Sequence, residues 1–319
     1  MNAHVNVPEQ YLRDNQANLQ FAINQASHIN RRVYEKKYPE ITYTRFIPID
    51  YSTPEFAASV TYFSYDGTGK AKWINTRADD VPYANANLAK YEIQIAEGAM
   101  GYDYTLFEIG RARWLGVNLA AMNAMYARRA YEEMCEEVGY FGNEAKGFYG
   151  LINYPGITKV AAPNNAADTS ALWADKNADE ILLDVNNALL GVYVDSLTIE
   201  MADTILLPHA QLVALTTRRI PDTQMSIIEF LEKNNVYTRE TGRKLTIKAL
   251  RQLTGAGDGG TDRMVAYKRD EEVLSMHIPM AFRFLPTQFE GLQFKNPGIF
   301  RIGGLDVRRP GSVRYVDGI

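Results

Sequence analysis

Apolar positions recur along this chain with two different periods, and the changes of period mark its elements. From Leu12 to Tyr38 the residues Leu12, Leu19, Ile23, Ala26, Ile29 and Val33 follow a helical spacing only thinly, and Pro39 ends it. So sparse a stripe builds no core of its own and predicts an arm that lies on something else. A β-prone run over Val60–Tyr65 then meets the turn residues Asp66-Gly67-Thr68-Gly69 and a second β-prone run, Lys70–Asn75, which predicts a hairpin. Both of its faces are polar and aromatic, so it is expected to project. A further strand over Ala89–Ile95 alternates clearly.

The strongest helix is predicted from the N-cap Asn118 to about Gly139. Met122, Tyr126, Ala130, Met134 and Val138 recur at i+4, with Leu119, Ala127 and Cys135 beside them. At 1.5 Å per residue this is a rod about 30 Å long. A shorter helix, Tyr104–Trp114, leads into it. Glu132, Glu133, Glu136 and Glu137 at its far end read as a solvated face. A turn-dense stretch, Gly147–Ile157, separates this half from a new region. That region carries a helix over Asp179–Leu190 stopped by Gly191, a strand Thr204–Leu207 ending at Pro208, a helix Ser226–Asn234 and a strand Leu245–Leu250. Strands then dominate: Met264–Lys268, Val273–Ile278, Phe282–Leu285 and Val313–Val316. No internal repeat is found. Helices and strands are segregated instead of alternating, which predicts an α+β architecture.

Composition narrows the classes of function. Of the 319 residues 46% are apolar and 23% charged, ordinary for a folded protein long enough to need no disulfide or metal staple. Two domains, or one with long excursions, are expected. A net charge of −4 argues against a dedicated nucleic-acid binder, though not against a protein that encloses nucleic acid. The single cysteine, Cys135, excludes an intramolecular disulfide framework and a thiolate zinc site. No apolar run approaches the ~20 residues of a membrane span, and the first residues lack the basic and apolar regions of a signal peptide, so a cytoplasm-like compartment is expected. Twenty Tyr against four His point to contact surfaces more than to acid–base or metal chemistry.

The sharpest enzyme lead is Gly255-Ala256-Gly257-Asp258-Gly259-Gly260, which satisfies G-x-G-x-x-G and alone would support a nucleotide-dependent enzyme. A dinucleotide site needs a helix after the glycines, to aim its N–H groups at the pyrophosphate. Here Thr261–Tyr267 reads as a strand, and Asp258 and Asp262 would repel phosphate. A loop between strands is therefore expected, with no cofactor. Cys135 reads as a structural thiol, and His4, His28, His209 and His277 have no metal-ligand or catalytic spacing. Asp79-Asp80 and Glu271-Glu272 read as loop solvation. Arg31-Arg32, Lys36-Lys37, Arg218-Arg219 and Arg308-Arg309 are scattered pairs suited to neighbouring acids, not a phosphate track. No catalytic and no metal-binding residue is assigned.

The order of the parts is polar arm, projecting hairpin, strand, long helix, α/β region and return strands. Particular segments accompany it: Tyr34-Glu35-Lys36-Lys37-Tyr38-Pro39 before Phe46-Ile47-Pro48-Ile49-Asp50, Tyr65–Lys72 in the hairpin, Gly147–Asn153 with Pro155-Gly156, Asp179–Leu182, Asp203–Pro208, and the closing Arg301–Pro310 and Val316–Ile319. From about Asn30 to Ile319 the chain resembles the major capsid proteins of tailed bacteriophages. These share the Hong Kong ninety-seven-type capsid fold with encapsulin shells.

The resemblance implies an N-terminal arm over residues 1–50 and an extended loop over 51–90, laid across the adjacent subunit. It implies a peripheral domain from 91–145 and 271–319 with the 118–139 spine helix, and an axial domain over 146–270. Assembly contacts would come from the loop tip, Asp66, Gly67, Thr68, Gly69 and Lys70, and from Gly255, Gly257, Gly259 and Gly260 in an axial loop. The implied function is a non-enzymatic shell subunit of a phage or prophage, forming pentamers and hexamers around double-stranded DNA without sequence-specific binding. Portal, scaffolding and decoration proteins are the implied partners, with no membrane. The virion is the location, and the host cytoplasm the place of assembly. An encapsulin-type compartment around a protein cargo is the alternative. Lys70 and Lys72 do not match the motif of relatives that crosslink a loop lysine to a neighbour's asparagine. The preamble is too short for the cleaved scaffolding domain of other relatives, which implies a separate scaffold or none.

Overall fold

The computed structural model describes residues 38–71, 73, 83–116, 118–221 and 223–319. The chain divides into two compact units, 1–40 and 41–319, and every element below belongs to the second. The helix predicted before Pro39, His4, His28, Arg31-Arg32, Lys36-Lys37, Lys72 and Asp79-Asp80 lie outside the described residues.

A one-turn helix α1 (Tyr43–Phe46) and strand β1 (Ile49–Asp50) lead to β2 (Ser59–Thr68) and β3 (Asn85–Gln94). Strands β4 (Ala96–Ala99) and β5 (Tyr102–Thr105) precede helices α2 (Leu106–Leu115) and α3 (Leu119–Tyr140). After β6 (Gly142–Asn143), β7 (Phe148–Tyr149) and β8 (Thr158–Ala161) comes α4 (Ala178–Asp195). Then follow β9 (Thr204–Leu207), α5 (His209–Thr217), α6 (Ile227–Asn234), α7 (Val236–Thr241), β10 (Thr246–Ala249) and β11 (Arg263–Tyr267). The remainder is β12 (Leu274–His277), β13 (Met280–Phe284), β14 (Gln288–Glu290), β15 (Gln293–Asn296), β16 (Gly298–Ile302), β17 (Leu305–Val307) and β18 (Val313–Asp317).

One sheet, in the order β10-β9-β11-β18-β8, organises the body. All five residues of β11 are buried, and side chains alternate across a strand. Val265 and Tyr267, with Leu206, Val313 and Tyr315, face a core shared with α1, α3 and the return strands. Met264 and Ala266, with Ile205, Leu207 and Val316, face a second core shared with α4 and α6. The return strand β18 pairs with β11 on one side and β8 on the other, so it completes a sheet whose other four strands come from residues 158–267, and it sits between the two cores. Three smaller three-stranded sheets, β1-β12-β17, β13-β16-β4 and β14-β15-β5, tie the return strands to the residues around the hairpin root.

The long helix begins as expected: Asn118 Oδ1 accepts from Ala121 N at 3.2 Å. Its last turn is covered by the chain that follows. Leu151 N and Ile152 N donate to Gly139 O and Tyr140 O, carbonyls that a helix end leaves without partners. The chain comes so close that a Cβ on Gly150 would sit 2.1 Å from Tyr140 O. The acidic end is not a uniformly solvated face. Glu136 is buried and accepts from Thr42 Oγ1 at 3.1 Å and Gln252 Nε2 at 2.9 Å. Glu132 accepts from Tyr43 OH at 2.8 Å.

Helix α4 starts with a capping box between Asn177 and Glu180. Gly191 does not stop it, and the helix runs on to Asp195. The glycine has another use: a Cβ there would lie 2.3 Å from Arg314 Nη1. With no Cβ, the guanidinium lies along the helix and bonds Asp195 Oδ2 at 2.7 Å, joining β18 to α4.

Opposite each other in the sheet, Arg263 and Asp317 form a buried, two-armed ion pair, with Nε–Oδ1 and Nη2–Oδ2 both at 2.6 Å. Arg263 Nη1 also donates to Ile152 O, and the guanidinium packs over the Tyr315 ring at 4.6 Å. Burial alone would raise the Asp317 pKa, but the bonds from Arg263 and the Asp258 N–H hold it below the ordinary 3.8. A group with a lowered folded pKa stabilises above its unfolded pKa and loses that stabilisation as pH falls through the folded one. Asp317→Asn is expected to cost about 3–5 kcal/mol by leaving a buried guanidinium unpaired. Urea titration should show this loss near neutral pH, and the wild-type loss of stability below pH 3.8 should flatten in the variant. Gly150→Ala should cost about 3 kcal/mol in the same titration, since backbone meets backbone there and no side chain can yield. Burial pushes the Cys135 thiol up to about 12. It should therefore resist an aromatic disulfide reagent at pH 8 until denaturant unfolds the chain.

Candidate functional site

The hairpin is the one long pair of strands that contributes almost nothing to either core. Ten cross-strand pairs join β2 and β3, from Ser59↔Gln94 to Thr68↔Asn85. Its second strand is thus 85–94, not the predicted Lys70–Asn75. The physical reason is the quality of the cross-strand partners. Tyr91 stacks on Tyr62 at 5.2 Å, and Ser59 Oγ donates to Glu92 Oε1 at 2.7 Å. The predicted strand Ala89–Ile95 is therefore the root half of the same ribbon, which ends at Gln94. Asp66, Gly67 and Thr68, expected at the turn, lie within β2 opposite Asn87, Ala86 and Asn85. Gly69 follows close against Ala84, where a Cβ would come within 2.9 Å of the Ala84 Cβ. Lys70 comes next, beyond the last paired residue of β2.

Among the described residues, the hairpin is half-buried only near its root. Val60, Tyr62 and Ile93 are half-buried, and Ile95 N donates to Ala58 O at 3.1 Å. Farther out, Phe63 and Tyr65 share a face with Lys90 and Leu88, and all four are exposed. Tyr65 is 76% exposed and Leu88 57%. Aromatic and aliphatic side chains held open on a rigid ribbon are contact material. A second exposed apolar cluster, which the sequence did not single out, joins Leu106 and Phe107 of α2 to Phe289 and Leu292 around the β14–β15 turn. Leu106 N donates to Leu292 O at 3.1 Å.

At the hairpin root the sheet β1-β12-β17 holds a charged cluster that the sequence also did not single out. Its three residues are 227 and 29 positions apart in the chain, so no local pattern could reveal it. Fully buried His277 faces Asp50 through Nδ1 at 3.0 Å and Asp306 through Nε2 at 3.6 Å. Asp306, also fully buried, accepts from Arg308 Nε at 3.0 Å and from Tyr62 OH at 3.2 Å. Burial and the Asp306 charge raise the Tyr62 phenol above its ordinary value, so it stays a donor.

The glycine-rich segment is a loop between β10 and β11, as its sequence context predicts. Gly255, Gly259 and Gly260 have φ of 67°, 72° and 78°, in the left-handed region glycine favours. The N–H groups that a phosphate would need are donated elsewhere. Gly257 N bonds Thr261 O at 2.7 Å, Gly260 N bonds Gly257 O at 3.0 Å, and Gly255 N bonds Asp262 Oδ1 at 3.1 Å. Asp258 N bonds Asp317 Oδ2 at 3.1 Å, while its own carboxylate stands exposed on the outer side. That carboxylate faces Lys159 at 3.7 Å, and with these N–H groups engaged inside the chain the loop is not a phosphate cradle.

The remaining chemistry-bearing residues are structural or dispersed. His209 is exposed at the start of α5. Arg218 donates to Trp173 O and Lys176 O, beside the buried Lys176–Asp184 pair. Arg308 and Arg309 pair within the chain, with Asp306 and with Glu200 and Glu272. Glu272 is thus not simply solvated. The structure brings no nucleophile and base together among these residues.

Comparison with known proteins fits a surface built for contact. A family model described as Major capsid protein matches residues 69–319, more than half of the chain. No curated protein matches the sequence. Among solved structures, the capsid of Myoviridae phage XM1 superposes with a TM-score of 0.79 at 18% identity, covering 93% of this chain and 98% of that one. A Mycobacterium phage Ogopogo chain superposes at 0.60 with 11% identity, covering 89% and 94%. A virus-like particle from Pyrococcus furiosus superposes at 0.50 with 12% identity, covering 86% and 91%. At these identities the likeness speaks for the fold, which is the Hong Kong ninety-seven-type capsid fold. The chain belongs to the major capsid protein family of tailed bacteriophages, a family of structural proteins and not of enzymes.

Proposed function

We propose that copies of this chain join as pentamers and hexamers into an icosahedral shell that encloses double-stranded DNA in a phage or prophage virion. The observation that carries this reading is the β2–β3 ribbon, whose exposed Phe63, Tyr65 and Leu88 cover no core of their own chain. In a closed assembly each copy uses one face to reach a different face on its neighbour, and a projecting ribbon supplies such a heterologous contact. The slightly acidic chain, at −4, suits a wall that holds packaged DNA without gripping it.

In this reading residues 1–50 are an arm and the extended loop of about 51–90 lengthens to the end of β3. Residues 91–145 with 271–319 make a peripheral domain, and 146–270 an axial one. The segment Asp66–Lys70 supports the loop's outer end. The Gly255–Gly260 loop offers a contact where copies gather around an axis. Portal, scaffolding and decoration proteins would be the further partners, and assembly would take place in the host cytoplasm.

Negative-stain electron microscopy with light scattering on the full chain expressed alone tests the reading. Closed shells or rings are expected, and a clean monomer at every concentration and salt would sink self-sufficient assembly. A double variant, Tyr65→Ser with Leu88→Ser, should alter the unfolding free energy by less than about 0.5 kcal/mol, because both side chains are exposed. It should nonetheless lower the assembled fraction at least about tenfold, as loss of an interface anchor does.

A further inference from the structure

We propose that Tyr62 is a positioning residue: through Asp306 it latches the hairpin to the body and sets the angle at which the ribbon leaves the subunit. This deepens the shell reading and rests on it, since the angle matters only if the ribbon reaches another copy.

Tyr62 is the outermost point at which β2 is half-buried, and every described side chain farther out on the ribbon is exposed. The six residues beyond Tyr62, up to Thr68, extend about 20 Å at about 3.3 Å each, so a small rotation at the root becomes a displacement of several ångströms at the end. The root bond is therefore the place where a weak contact has most leverage.

The body is built to receive that bond. Asp306 is fully buried on β17 and its two oxygens are divided between partners. Oδ2 accepts from Arg308 Nε at 3.0 Å, and Oδ1 accepts from Tyr62 OH at 3.2 Å. Swinging the ribbon away would strip Oδ1 of the hydroxyl and leave a buried acceptor without it, the costly side of any hydrogen bond. His277 closes the back of the cluster, with Nδ1 at 3.0 Å from Asp50 and Nε2 at 3.6 Å from Asp306 Oδ2. The Tyr62 ring has two partners of its own, Tyr91 stacked at 5.2 Å and the Arg308 guanidinium at 5.7 Å from its centroid. Ring and hydroxyl thus have separate duties. The ring fixes the ribbon's own geometry, and the hydroxyl fixes the ribbon to the body.

Tyr62→Phe separates the two, because it keeps the ring and removes the hydroxyl. The sole native cysteine is buried, so cysteines introduced by Ser64→Cys on the ribbon and Glu240→Cys on exposed α7 can carry spin labels selectively. Distances between the labels are read in the unassembled full-length subunit. A single narrow distribution is expected for the parent. At least a doubling of its width is expected for Tyr62→Phe and Asp306→Asn, and no change for Tyr91→Phe, which leaves Asp306 alone. Unchanged widths in the first two would overturn the latch. The unlabelled Tyr62→Phe chain is then assembled and imaged, where particles of mixed diameter or a tenfold lower yield are expected. A broadened distribution with particles of parental diameter and yield would overturn the link from angle to assembly. A parent chain that forms no particles would fail the shell reading alone, and the label distances would still decide the latch.

Discussion

The body depends on a strand that has solvent on neither side. Residues 263–267 alternate between two apolar cores, so β11 serves as the wall of both. A wall of this kind cannot be apolar on one face and polar on the other, as an edge of the fold could be. Its one charged residue, Arg263, is tolerated because Asp317 lies opposite and Ile152 O takes a further bond. Strand β18 brings that aspartate from the far end of the described chain. It also brings Arg314, which reaches α4 over Gly191. The two cores are therefore coupled through shared strands, and loss of either would expose the other's side of the same sheet.

The hairpin obeys opposite physics. Its two strands satisfy each other in one ladder, and among the described residues its outer side chains are exposed and only those near the root are half-buried. A long exposed ribbon with aromatic faces is a liability in a monomer. In the proposed shell that liability becomes a means of contact. The charged cluster around Asp306 lies where these two regimes meet, with polar groups buried at the junction instead of more apolar packing.

Local pattern carried α3, α4 and α6, because cap and period sit in neighbouring residues, with Asn118 capping α3 and Ser226 capping α6, but it did not announce the nine-residue α5. It also carried the strand character of β9, β11 and β18 and the loop around Gly255–Gly260. It failed wherever a distant residue decides. Lys70–Asn75 is as β-prone as its rival, yet 85–94 supplies the stacked Tyr91 and the Glu92 acceptor. Gly191 looks like a helix stop until Arg314 arrives from 123 residues away. Glu136 looks solvated until Thr42 and Gln252 close over it. The exposed aromatic surface of the hairpin was legible in kind, from abundant tyrosine and a two-faced β-prone run. The cluster that anchors the hairpin was not, since Asp50, His277 and Asp306 become neighbours only through strand pairing.

The long helix α3 is held unevenly. From Ala127 onward it contributes Tyr131, Cys135, Val138, Gly139 and Tyr140 to the buried interior, whereas its first two turns are at most half-buried. Opening of backbone hydrogen bonds follows local burial, not the geometric regularity of a helix. The helix is thus a cantilever, clamped at its C-terminal end and free to fray at the other. Amide protons along it would exchange in a graded order, fastest near Leu119 and slowest near Tyr140. A strain applied through α2 would then be absorbed by bending at the loose end before it reached the cores.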